Sequence, residues 1–264
     1  MRPLLLILAF VFPATTLGAS CGGNFGQFLN TIRQEAHDLG YSSILVNEFF
    51  DAAQQDPKVL KADRSQGIFQ KDFITFSQIL ISEHRLKDAK KNAAKYASIF
   101  KRINDKFGVP PGVLLAFWGF ETDFGANQGN FNTLNSLITL AHDCRRPDLF
   151  RPQIFAALEL FKRGEFDPVL TTGAWAGEIG MIQILPGDII ESGTDGDGDG
   201  RVDLQNSALD ALMTGGHVFK RLGWQANEPW LQEIEVPKSF DWSMTGLDKA
   251  YPVSLWKVLG VTAR

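Results

Sequence analysis

Apolar residues recur at three- and four-residue spacing over most of the chain. Residues 24–38 carry Phe25, Phe28, Leu29 and Ile32 on one stripe, and 42–54 repeat the pattern, so each reads as an amphipathic helix. The polar break "DRSQGIF" at 63–69 separates these from a long helical stretch over about 71–106, with Phe73, Phe76, Ile79 and Leu80 on one face. "GVPP" at 108–111 is a start signal, because proline fits the first turn of a helix. The helix it opens runs through "VLLAFWGF" into Glu121 and stops at Gly125. "FNTLNSLITLAHD" begins another, capped by Asn132 or Thr133, with Leu134, Leu137, Ile138 and Ala141 as its buried stripe. Residues 152–163 form a further helix, and one more runs through Leu209, Leu212 and Val218. Beyond Trp224 the periodicity weakens, which predicts loops and short elements. Strand signals are few, so the expected fold class is mainly α.

Composition narrows the picture. A chain of 264 residues with 44% hydrophobic content can build a full core, in one domain or two closely packed lobes. A net charge of -4 gives no reason to expect nucleic acid, although local basic patches can still meet an acidic polymer. The opening "MRPLLLILAFVFPATTLGAS" has a basic n-region, an apolar run and a small-residue cleavage site, so residues 1–19 read as a secretory signal. The apolar run is shorter than the roughly 20 residues of a membrane span. Two cysteines in an exported chain point to a Cys21–Cys144 disulfide. The rival reading makes Cys21 a lipidated residue of an outer-membrane lipoprotein, but Gly18 stands where a lipobox carries a large aliphatic residue.

The chemistry-bearing residues are few. Leu114, Phe117, Trp118 and Glu121 share one helix face, so a carboxyl ends the most apolar helix. An apolar wall raises a carboxyl pKa, as a general acid requires; the alternative is an exposed or arginine-paired Glu. Arg145 and Arg146 in "CRRPDLF" could hold carboxylates by bidentate contacts, or could simply stabilise a helix C-terminus. Gln183, inside the apolar run of "GAWAGEIGMIQILPGDI", needs a partner in ligand or backbone. Asp195, Asp197 and Asp199 take positions 1, 3 and 5 of a calcium-type loop, with Gly200 at 6 and the Arg201 carbonyl at 7. Position 12 is Asn206, and Asp210 is a candidate to supply the missing carboxylate; a plain Asp/Gly turn is the alternative. The four scattered histidines form no zinc pattern.

The order "DRSQGIF", "FWGFETDFG", "CRRPDLF", "GAWAGEIGMIQILP" and then an Asp-rich loop resembles the lytic murein transglycosylase B family, from about residue 23 to the C-terminus. The resemblance implies a lysozyme-like, mainly α fold with few short strands. A helical N-terminal lobe would span 20–108, and a catalytic core with a saccharide groove 109–264. It implies cleavage of the MurNAc–GlcNAc β-1,4 bond of peptidoglycan without water, leaving 1,6-anhydromuramoyl ends. Glu121 would be the single acid/base, where the usual glycosidase pair needs two carboxyls. Arg145, Arg146 and Gln183 would bind substrate. No catalytic cofactor is implied; a structural calcium would sit on the Asp loop. The expected setting is a periplasmic monomer acting on glycan strands, with other cell-wall enzymes as partners. Three departures stand out: Ala174 and Glu178 where the family carries Ser and Ala, Asn206 in the loop, and a chain ending at "SLWKVLGVTAR", shorter than its relatives. They frame two rivals, a truncated glycan-binding homologue and a hydrolytic muramidase.

Overall fold

The structure, a computed structural model, describes residues 21–65, 71–229 and 231–264. The leader expected over 1–19 and residues 66–70 of the polar break lie outside the described residues. Among the described residues, no helix is long and apolar enough to cross a membrane. The chain divides into two compact units that part between Trp224 and Gln225.

The first unit is helical, and its helices begin where short polar side chains stop the preceding segment. Asn24 caps α1 (Phe25–Asp38), Ser42 caps α2 (Ser43–Phe50) and Asp56 caps α3 (Pro57–Arg64). Each side-chain oxygen accepts from a backbone N–H that the helix leaves unpaired. The expected long helix over 71–106 is three helices: α4 (Phe73–Leu80), α5 (Glu83–Lys95) and α6 (Ala97–Phe107). Ser82 accepts from Arg85 N–H and starts α5 afresh, and Tyr96 leaves helical geometry at φ -108°, ψ 23°. The apolar stripe of α4 is exposed at Phe73 (76%) and Ile79 (52%), and α4 buries no residue. Periodicity names an apolar face but not what covers it.

The centre of the unit is α8 (Thr133–His142), capped by Asn132, with nine of its ten residues buried. It packs on α9 (Pro147–Lys162) and on α3. Helix α9 starts five residues before the expected position, because Pro147 occupies the first turn and Pro152 is carried inside the helix. Helix α7 (Pro111–Thr122) packs on α5, while α10 (Pro186–Ser192) packs on α9 and α11 (Ala208–Arg221) on α6. One small antiparallel pair, β1 (Phe131–Asn132) with β2 (Thr172–Gly173), carries the segment that follows it. The second unit holds an antiparallel pair, β3 (Ile234–Glu235) with β4 (Thr262–Ala263), a 3-10 turn at Trp242–Met244 and the short helix α12 (Val253–Val258).

Candidate active site

Helix α7 buries Leu114 and Trp118, and Glu121 emerges one turn later on the same face. The residue is open to solvent, yet its carboxyl pKa is raised. Crowding by surrounding protein is the larger cause, and the charge of Glu178 is the second. The helix ends at Thr122, three residues earlier than expected, because Asp123 and Phe124 both adopt left-handed backbone, at φ 48° and 60°. Non-glycine residues held there cost on the order of 1 kcal/mol or more each, and such strain concentrates at functional sites. Several contacts hold the turn. Thr122 Oγ1 donates to the Met181 carbonyl at 2.6 Å and accepts from Gly125 N–H at 2.9 Å. Arg85 of α5 grips Asp123 at 2.5 Å and donates to the Leu80 carbonyl.

Opposite Thr122 runs the 173–184 segment. Gly173 pairs with Phe131 and bridges to Ile179, and Ile179 bridges to Ile184. A Cβ on Gly173 would lie 1.9 Å from the Glu178 carbonyl oxygen, so only glycine permits this approach. Gln183 takes φ 47°, and its side-chain amide donates to the carbonyls of Gly180 at 2.8 Å and Gln128 at 3.1 Å. Its partners are therefore backbone.

The double arginine converges on one buried acid. Asp63, in the last turn of α3, is buried with its side chain 1% exposed. It accepts from Arg145 Nη1 at 2.5 Å and from Arg146 Nη2. Arg145 also donates to the Asp63 carbonyl at 2.9 Å, and Arg146 lies over the Phe150 ring at 5.1 Å. Both guanidinium side chains remain partly exposed, at 50% and 36%, and a guanidinium offers more donors than these bonds use. The next residue of α3, Arg64, pairs with Asp143 at 2.8 Å. Cys21 and Cys144 form the expected disulfide with Cα atoms 5.1 Å apart, and Gly22 N–H donates to the His142 carbonyl at 2.7 Å. Asp63 was missed as a site residue. Its signal was an acid beside an arginine in the polar break, with partners more than 80 residues away.

The Asp loop divides the expected ligand set. One carboxylate oxygen each from Asp195, Asp197 and Asp210 lies within 4.8 Å of the others. Asp199 is outside that group of carboxylates; it accepts from Arg201 N–H at 2.8 Å. Asn206 turns inward to Asp203, at 2.9 Å from backbone N–H to carboxylate. Asp210 is buried and its pKa is raised, first by burial and also by the charge of Asp197. A cavity of about 490 Å³ opens beside the loop, lined by Phe161, Glu165, Arg201 and Asp203 among others; Glu121 does not line it.

The family model described as "Transglycosylase SLT domain" matches residues 24–264. The chain belongs to that family. It is 29% identical over 131 residues to membrane-bound lytic murein transglycosylase B of Escherichia coli K12, which covers 49% of this chain and 36% of the relative. SltB3 of Pseudomonas aeruginosa, solved in complex with NAG-anhNAM-pentapeptide, is 32% identical with a TM-score of 0.82, covering 91% of this chain and 64% of that one. The Escherichia coli lytic transglycosylase Slt35, solved in complex with calcium, shares the fold at 22% identity and a TM-score of 0.79, covering 95% and 80%. The chain thus spans less than two thirds of the first two relatives. The lysozyme-like, mainly α architecture read from the motif order is the architecture of these SLT-domain structures. Within this SLT domain, Thr122 ties the end of α7, just after Glu121, to Met181, and Asp63, Arg145 and Arg146 form a second cluster.

Proposed function

We propose that this chain is a lytic transglycosylase that cleaves the β-1,4 bond between N-acetylmuramic acid and N-acetylglucosamine in peptidoglycan. The observation that carries the reading is Glu121, a solvent-reachable carboxyl whose surroundings favour its protonated form in an SLT-domain fold. Glu121 donates its proton to the glycosidic oxygen as the bond to C1 breaks. The resulting carboxylate then takes the proton of the C6 hydroxyl as that oxygen bonds to C1, closing the 1,6-anhydro ring. One group serves both steps and ends as it began. Arg145 and Arg146, oriented by Asp63, meet carboxylates of lactyl or peptide groups with their remaining donors. Gln183 contributes by holding the backbone of the groove wall.

The setting follows from the same reading. The leader over 1–19 delivers the chain to the periplasm, where it acts as a monomer on glycan strands alongside other cell-wall enzymes. The Cys21–Cys144 disulfide fits an oxidising compartment, and it occupies the sulfur that a lipid anchor would need. Digesting purified sacculi and weighing the muropeptides tests the activity. Products lighter by one water than hydrated muropeptides are expected. Hydrated ends would replace the assignment with a muramidase, and no products would replace it with a glycan binder.

Calcium is proposed as a structural ion. The donors are hard oxygens, three acids repel one another without a cation, and Slt35 is a calcium complex. Asp195, Asp197 and Asp210 would hold it, with Asp199 and the Arg201 carbonyl as the further donors read from the sequence. The ion would neutralise the loop and take no part in bond cleavage. Saturating calcium at about 100 times Kd is expected to add about 2.7 kcal/mol, a rise in Tm of about 5–10 °C for a chain of this size. An unchanged melting curve with and without chelator would remove the ion from the assignment.

A further inference from the structure

Glu121 stands in the last turn of α7, and the ends of helices are where they fray. The direction of its carboxyl depends on that turn staying wound. Just beyond it, Asp123 and Phe124 are both held in left-handed backbone, which for a ring as large as phenylalanine is a costly state. Running the helix on to Gly125, as its apolar pattern suggests, would relieve both. Such strain persists only where surrounding contacts over-determine it. Arg85 supplies those contacts from outside the helix. Its backbone is set in the first turn of α5, where its N–H donates to the Ser82 hydroxyl at 3.2 Å. Its side chain then crosses the end of α7. The Cδ atom would be 3.4 Å from a Cβ on Gly119, and the guanidinium carbon is 5.8 Å from the centre of the Phe120 ring. Nε donates to a carboxylate oxygen of Asp123 at 2.8 Å, and Nη2 reaches the same oxygen at 2.5 Å. Nη1 donates to the carbonyl of Leu80, the last residue of α4. The other Asp123 oxygen accepts from the Asn127 amide at 3.2 Å. Phe124 folds back over Gly119, where a Cβ would lie 2.9 Å from its ring, so glycine is what lets the turn close.

We propose that Arg85 is a positioning residue: it braces the last turn of α7 on both sides of Glu121, at Phe120 and at Asp123, and so holds the carboxyl where it meets the glycosidic oxygen. The inference rests on Glu121 being the acid/base and adds a residue that acts through it. The side chain of Arg85 is 18% exposed, so its protein partners replace most of its water. A lysine could not take its place. One ammonium on a flexible stem lacks the planar set of donors that serves Asp123 and the Leu80 carbonyl together. The molecule also supplies a matched control. Arg33 of α1 donates to Asp51 at 3.0 Å and to Asn47 at 3.1 Å, and lies over the Phe50 ring at 5.6 Å. That is the same kind of grip, but it ties α1 to the end of α2 instead of bracing the turn that carries Glu121.

Release of anhydro products from sacculi, measured beside amide hydrogen exchange in the full chain, tests this. In Arg85→Ala, kcat is expected to fall about 10–100-fold, the cost of a slightly misplaced acid, with KM little changed. Added guanidinium ion restores part of the loss, and Arg85→Lys falls between the two. Asp123→Ala lowers kcat in the same way, and joining it to Arg85→Ala adds little, because the two side chains act as one unit. The amides of Asp123 and Phe124 donate to the carbonyls of Gly119 and Trp118 at 3.1 and 3.3 Å, and in Arg85→Ala they exchange faster. Arg33→Ala keeps the wild-type kcat, whatever it loses in Tm. An unchanged kcat in Arg85→Ala, or an equal fall in Arg33→Ala, overturns the proposal. If Arg85→Ala does not fold, Arg85→Lys decides: wild-type kcat with wild-type exchange at Asp123 and Phe124 overturns it equally. Wild-type protein that releases no anhydro product would instead refute the lytic reading, and the exchange rates would still decide whether Arg85 braces the turn.

Discussion

Glu121→Gln is expected to cut product release by about 10³–10⁴-fold while leaving strand binding intact. The amide keeps the size and most of the polarity of the carboxyl, so the end of α7 and its Thr122 and Asp123 anchors should persist. What it lacks is a proton to give and a basic oxygen to take one back, and both steps are lost together. The loss should sit in kcat, with sedimentation onto sacculi unchanged. Stability supplies the control. The folded pKa of Glu121 is raised, so the stability linked to its protonated form is present at low pH and is lost as pH rises through that pKa. Glutamine cannot ionise and carries no such loss. The variant should therefore match the wild type in acid and equal or exceed it near neutral pH. Activity within tenfold of wild type would remove Glu121 from the chemistry.

Removing the Cys21–Cys144 bond is the stability change with the largest expected effect. The bridge closes a loop with a sequence separation of 123, and loop-closure entropy alone assigns such a cross-link about 4–5 kcal/mol. For a chain of this size that corresponds to a fall in Tm of about 10 °C or more in the double variant Cys21→Ser, Cys144→Ser. Phe25 and Phe28 pack their rings on His142 and would hold α1 in place, so the folded geometry should survive. The cost then falls on the unfolded chain, which regains the freedom the bridge removed. Equal melting temperatures with and without the bond would show that the closure adds nothing.

Local signals carried much of this structure. Asn132 as a cap, the four-residue stripe of α8 and the proline start of α7 are all decided within a few residues, so periodicity and end chemistry suffice to read them. The disulfide followed from having two cysteines and an opening stretch that reads as a secretory signal. What stayed illegible was set by residues distant in sequence. Asp63 sits in a polar break, and nothing nearby says that two arginines converge on it. The break of 71–106 into three helices was partly visible in Ser82 followed by Glu83, a cap and an acidic first turn that the apolar stripe outweighed. The Asp loop looked like a consecutive ligand series, yet the fold gathers Asp210 and leaves Asp199 aside, because a carboxylate from a following helix reaches where a neighbour turns away.

The clamp on the double arginine bears on how substrate arrives. Asp63 offsets one of the two charges of Arg145 and Arg146, within a chain of net charge -4. Beyond about one Debye length, roughly 8 Å at physiological salt, what remains of their positive field is largely screened. In the proposed function, an anionic glycan strand is thus drawn in little from a distance by these two arginines. On that reading the guanidinium groups work at contact range, where the orientation that Asp63 gives them selects what is held.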